Sequence, residues 1–230
     1  MLAADIWCPI NCAPDVEPKG LAIDIAEKIF EAKGYAIKYV AIPWTRALEE
    51  ARSGEVDGAI GVMKEDDESL IFPQTPLLTV TDDFYVLEGQ EFAYTGVESL
   101  RGKRLGVVRD YVYSDALTAL IESQRKQRGI VQAVGGVTAL EQNLRKLEAG
   151  RIDVLVEMHP VIEQFLKTNT ITAKLKHLGG VDNGVAYVAF TPAKPRSAEL
   201  ARIFDDGVAT LRASGELQEI YARYNVELKP

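Results

Sequence analysis

"VDGAIGVMKEDDESLIFPQTP", residues 56–76, is the stretch on which the fold turns. Val56, Ala59, Ile60, Val62 and Met63 make a short apolar run of the kind found in a strand buried on both faces. The run stops at Lys64, four acids follow from Glu65 to Glu68, and Phe72-Pro73 then resumes an extended chain. A buried strand that ends in a polar, charged loop is expected where the loop serves a sheet's open end.

Reading outward, short β-branched runs alternate with longer amphipathic segments. "TRALEEARSG" reads as a helix with Thr45 as N-cap and Gly54 as its stop, and "AIKYVAI" (36–42) before it reads as a strand. "IDIAEKIFEAKG" places Ile25, Ile29 and Phe30 at helical spacing and stops at Gly34. The pattern returns with "KRLGVV" (103–108) as a strand, a helix from Ser114 to Gly129, a helix with a Thr138–Glu141 capping box that closes at Gly150, and the strand "IDVLVE". Pro160 reads as a helix start, "GVAYVAFTP" (184–192) as extended, and the chain from Arg196 as helical with a break at Gly215. This order predicts an α/β fold with mostly parallel sheets and helices on their faces. Two such sets fit the length, separated at the polar stretch 87–102, with the chain crossing twice. The expected lobes are 1–88 with 189–230, and 89–188.

Composition bounds the function. Of 230 residues, 47% are apolar and 26% charged, the balance of an ordered globular protein, and the net charge is −8. No basic cluster exceeds "RKQR" at 125–128, which argues against nucleic acid as a partner. No window of 18 apolar residues exists to span a bilayer, and "MLAAD" is too short for a secretory leader. Cys8 and Cys12 with only His159 and His177 make poor zinc arithmetic, so no metal is expected. The cysteines are read as a local disulfide, which implies an oxidising compartment, or as two free thiols. No nucleophile elbow or phosphate loop is present, and no catalytic residue is assigned.

"GLAIDIAEKIFEAKG", "PWTRALEEARSGEVDGAIG", "SLRGKRLGV", "LEAGRIDVLVE" and "SGELQEIYARYNV" together resemble the periplasmic solute-binding proteins, family 3, of polar amino-acid uptake. The match runs in the family's order over nearly the whole chain, and "PW-x-R-A" marks a divergent branch. The resemblance implies a type II two-lobed α/β fold, two hinge strands, and a small-molecule ligand enclosed in a cleft by hinge closure. It implies a periplasmic monomer without a cofactor, its leader removed or replaced, that works with the membrane permease of an ABC transporter. Two alternatives follow from the same module: a sensing domain of a signalling protein or accessory protein of a periplasmic dehydrogenase, and a dehydratase-like enzyme using Glu157 with His159.

The resemblance also implies a site. Strand ends and helix N-termini of an open parallel sheet offer N–H groups to a ligand, so Gly61, Val62, Met63 and Lys64 form the expected rim. Trp44 stands at the family's stacking position, with a core tryptophan as the competing reading, and Trp7 at its other aromatic position. The family's carboxylate-clamping arginine falls by count on Ser69, or on Asp66 if the loop is shortened. Lys64 is the one cation between Arg52 and Arg101, read either as a point charge toward an anion or as a solvated lysine among acids. Arg46 is read as an anion contact or as a partner of Glu49 or Glu50. In the second lobe "RDYVYS" replaces a small Gly-Thr turn: Asp110 stands for the glycine and Tyr111 for the hydroxyl residue, with Arg109 beside them and Tyr113 nearby. Met158 stands where an acid should meet a ligand ammonium, and the adjacent Glu157 is the substitute candidate. With both ionic anchors absent or displaced, the expected ligand is not a plain α-amino acid and is rather an aromatic or anionic solute.

Overall fold

The computed structural model describes residues 1–169 and 174–228. In chain order the elements are β1 (Leu2–Ala4), α1 (Leu21–Glu31), β2 (Tyr39–Ala41), α2 (Trp44–Ser53), β3 (Gly58–Val62), β4 (Leu78–Leu87), a 3-10 turn (Val97–Leu100), β5 (Leu105–Val108), α3 (Asp115–Gln124), β6 (Val131–Val134), α4 (Ala139–Glu148), β7 (Val154–Val156), α5 (His159–Thr168), β8 (Leu175–Phe190), α6 (Ser197–Ser214) and α7 (Glu216–Arg223). The chain forms two compact units, Met1–Thr79 with Val185–Pro230, and Val80–Gly184. The crossings lie inside β4 and β8, and the limits expected near 88 and 188 fall at or near the C-terminal ends of those strands.

In the first unit β1 lies between β2 and β3, parallel to both, and β3 pairs antiparallel with the second half of β8. Helix α1 packs on α6 and α7, so the C-terminal helices complete this unit. Phe30 meets Phe190 edge to face with ring centres 6.0 Å apart, and both are buried. Each such side chain contributes roughly 1.5–3 kcal/mol on burial. Gly207 in α6 lets that helix approach α1: a Cβ there would stand 2.4 Å from Ile29. The roughly 0.5–1 kcal/mol that glycine costs inside a helix is offset by this contact.

In the second unit β5 lies between β6 and β7, parallel to both, and β4 runs antiparallel to β7. Successive residues of β4 serve opposite faces. Phe84 joins Leu100, Leu105, Leu117 and Leu120, whereas Tyr85 joins Leu144, Leu147, Ile152 and Ile162.

Local chemistry explains where expectation and structure part. Helix α2 begins at Trp44 with Pro43, not Thr45, as N-cap, because the extended Pro43 (ψ 140°) offers its carbonyl to the Ala47 N–H at 3.0 Å. The capping box does not form. Thr138 Oγ1 accepts from Gln142 at 3.0 Å, and Glu141 accepts from Arg145 at 3.0 Å. Helix α3 ends at Gln124, before the expected Gly129. Strands β1, β4 and β6 lie outside the stretches read as extended in the sequence, and in β4 the pair Asp82-Asp83 interrupts the apolar run.

Candidate functional site

The strand-end rim of the first unit is built by the segments after β1, β2 and β3. After β1, Cys8 and Cys12 form a disulfide, and Trp7 and Asn11 pair as a bridge, so the segment turns back on itself. Asn11 donates to the Asp5 carbonyl at 2.6 Å, and the Tyr39 hydroxyl donates to the same oxygen at 3.1 Å. Trp7 is thereby laid over β3: a Cβ at Gly61 would meet its ring at 3.7 Å. Gly61 itself sits in a register break between Ile60 and Val62 with φ 84°. A bulge of this kind requires glycine and re-aims the strand end.

Beyond β3 the chain folds into a tight turn. Asp66 Oδ2 accepts from the Met63 N–H at 2.7 Å, and the Asp66 N–H donates to the Met63 carbonyl at 3.1 Å. Burial raises the Asp66 carboxyl to about 7, against the opposing hydrogen bonds from Met63 and the Trp44 side chain; Glu65 and Asp5 push it further up. Trp44 is 6% exposed and Trp7 9%, so both indoles lie against the protein. Trp44 is thus buried, as the core reading has it, and it also walls the Asp66 carboxyl.

The cations near this rim all have other partners. Lys64 Nζ lies 5.6 Å from the centre of the Tyr187 ring, a cation–π contact. Arg46 donates to Glu50 at 2.6 Å on the exposed face of α2, and Arg52 donates to Asp67 at 2.8 Å. Ser69, the other position suggested by count, donates to Asp67 Oδ1 through both its amide and its hydroxyl.

In the second unit the turn after β5 keeps the backbone that a glycine would supply. Asp110 adopts φ 61°, a left-handed conformation that Asp tolerates better than most residues. Tyr111 packs on Val108, Val134 and Ala139. Tyr113 hydroxyl accepts from the Val108 amide at 2.8 Å and so fastens the turn to the strand it leaves. Arg109 is exposed beside Gly135. Asp82 accepts from the Ser114 amide at 2.8 Å at the start of α3, and burial raises its carboxyl to about 6.

At the end of β7, Met158 is buried and its amide donates to Glu157 Oε1 at 2.9 Å. His159 is the first residue of α5. Its Nδ1 pairs with the Tyr85 hydroxyl at 2.5 Å and its Nε2 lies 3.4 Å from Glu163, so the pairing of His159 with Glu157 as acid and base is not what the geometry provides. The ring stacks on His177, centres 4.8 Å apart, and His177 pairs with Asp83 at 2.8 Å. Asp83 also accepts from Thr81 and from the His159 amide. Among the described residues no cluster of three or more His, Cys, Asp or Glu side chains could hold a metal ion, and no helix is long and apolar enough to cross a membrane.

Sequence reasoning reached the rim and, by count, the Asp66 position, but passed over Tyr187, Asp82 and Asp83. Nothing in the sequence marked Tyr187, which lies far along the chain on a neighbouring strand.

Two α/β units linked through strands, each with its loops gathered at strand ends, define a two-lobed binding protein of the type II periplasmic-binding-protein fold. The chain belongs to the bacterial extracellular solute-binding proteins, family 3, which it matches over residues 3–227. Its fold is similar to an ancestral arginine-binding protein bound to arginine, at TM-score 0.79 and 18% identity, with 97% of this chain and 96% of that one covered. A histidine kinase sensor domain with similarity to periplasmic binding proteins aligns at TM-score 0.78 and 21% identity, covering 100% and 96%. The arginine-, lysine-, histidine-binding protein ArtJ from Geobacillus stearothermophilus aligns at TM-score 0.73 and 19% identity, covering 99% and 96%. No curated protein sequence matches the chain.

Proposed function

We propose that this protein is a periplasmic, monomeric receptor that closes its two lobes around a small solute and delivers it to an ABC-type permease. The solute is not a plain α-amino acid. The observation that carries this reading is the chemistry at the end of β3: where a carboxylate clamp would stand, the turn presents Asp66, and the nearby cations Arg46, Arg52 and Lys64 are engaged elsewhere. The buried Met158, at the position of the expected ammonium partner, supports it from the second unit. A carboxylate brought to this rim would meet an acid and no free base, which costs several kcal/mol.

The proposed contacts are Trp7, Trp44, Gly61 and Met63 in the first unit and Arg109 and Tyr111 in the second. Arg46, Lys64, Glu157 and Met158 receive least support, since Arg46 and Lys64 hold other partners and the Met158 amide and Glu157 carboxyl bond to each other. A ligand that binds only the folded state raises the melting temperature with the logarithm of one plus its concentration over Kd. A thermal-shift screen of solutes tests the reading: saturable shifts from solutes other than amino acids are expected, and a saturable shift from a common amino acid overturns it. A sensing domain is the second reading, favoured by the similarity to a kinase sensor domain. A membrane-spanning helix encoded in frame after residue 230 decides for it.

A further inference from the structure

Resting on that receptor reading, we propose that the group held at the first unit's rim is an organic cation: an amine or guanidinium carried on hydrocarbon, with no carboxylate at that end of the molecule. Three observations converge. Asp66 is a partly buried carboxyl that accepts from the Met63 amide and has no salt bridge to any described residue. The bases nearest to it in sequence point elsewhere: Arg46 to Glu50, Arg52 to Asp67, Lys64 to Tyr187. The Trp44 side chain acts on this carboxyl, and Trp7 lies over Gly61 of the same strand end.

A carboxylate beside aromatic rings and without a counter-charge suits a cation on two grounds. The acid supplies the opposite charge, and ring faces attract cations by about 0.5–2 kcal/mol each. The rim already displays the second interaction, because the Lys64 ammonium sits on Tyr187. An anion brought there would meet Asp66 with Asp5 and Glu65 close enough to act on it. Because burial holds the Asp66 carboxyl near 7, with Glu65 and Asp5 adding to the rise, cation binding releases a proton and affinity should rise with pH through neutrality.

Calorimetric titration of the whole protein with matched solutes tests this. One set is agmatine, arginine and guanidinovalerate; the other is phenethylamine, phenylalanine and phenylpropionate. The amine-only member of at least one set should bind saturably, and the acid-only members should not. Its affinity should increase roughly tenfold between pH 6 and pH 8, following ionisation of Asp66. Asp66→Asn, which keeps an acceptor for the Met63 amide, should lower that affinity at least tenfold at pH 8 and flatten the pH dependence, with an unchanged circular dichroism spectrum. Tighter binding of an acid-only member, or amine binding insensitive to Asp66→Asn, overturns the proposal and leaves the receptor reading standing. Failure of every solute in both sets overturns the proposal too, and if the broad thermal-shift screen is also blank, the receptor reading falls with it.

Discussion

Asp57 and Asp66 flank the same strand, β3, and titrate in opposite directions. Asp57, at its start, is pushed up by burial, but the N-terminal ammonium, Arg196 and Lys194 outweigh this and hold the carboxyl far below its usual range. Those partners lie 2.5, 2.6 and 3.0 Å away. Asp66, beyond the end of β3, has no such partner among the described residues and rises to about 7. A fold that needs a carboxylate for its own cohesion surrounds it with cations. One that leaves a carboxyl half-buried and uncompensated at the strand ends bears a cost in the free protein that a ligand can remove.

The largest effect expected on this contrast comes from Trp44→Ala. If the Asp66 end were only a binding surface, the substitution would leave stability alone. Trp44 is buried, so truncation should cost about 3–5 kcal/mol in urea unfolding. Loss of less than about 1 kcal/mol would mean that the indole belongs to the ligand and not to the core.

Asp57→Asn should cost less, about 1–2 kcal/mol at neutral pH, because its partners are partly exposed and screened. A depressed folded pKa gives stability that is present above the unfolded value of about 3.8 and lost as pH falls below it. The variant's acid unfolding should therefore be shallower than the parent's. Asp66→Asn should do the reverse. With the folded pKa raised, the parent loses stability as pH rises from about 4 to 7 and bears a constant penalty above that. The variant should match the parent near pH 4 and exceed it by about 1–2 kcal/mol at pH 8, after allowance for partial exposure. Equal stability at both pH values would place the two acids in the same class and remove the contrast.

This contrast was only half legible in the sequence. The alternation of elements around β3 was readable because strand and helix periods differ and Gly54 and Gly215 end their helices in the left-handed conformation. The acids Glu65 to Glu68 were readable only as one charged run. In the structure Glu65 and Glu68 are exposed, Asp67 is held by Arg52 and Ser69, and Asp66 alone folds under the turn to Met63. A turn selects one of several consecutive acids by backbone direction, which periodicity does not encode. Similarly, Thr138-x-x-Glu141 has the spacing of a capping box, yet Gln142 and Arg145 one turn away compete for both side chains. Asp82 and Asp83 carried no signal in the sequence, because a strand with two buried acids needs tertiary partners, here the Ser114 and His159 amides, that no local pattern announces.

The smallest expected effect tests whether the rim's surroundings are as inert as their pairing suggests. Arg46 stands in the first turn of α2, where a cation opposes the helix dipole by up to about 1 kcal/mol. Its bond to Glu50 at 2.6 Å returns a similar but smaller amount, since exposed pairs one turn apart contribute about 0.3–0.5 kcal/mol and the Arg46 side chain is 66% exposed. The two terms nearly cancel, so Arg46→Ala should change unfolding free energy by no more than about 0.5 kcal/mol. A cation bound at Asp66 should bind equally well or slightly better in the variant, because one nearby positive charge is gone. If instead an amine loses affinity tenfold while stability holds, Glu50 is not the guanidinium's functional partner, and Arg46 returns to the ligand's side of the comparison.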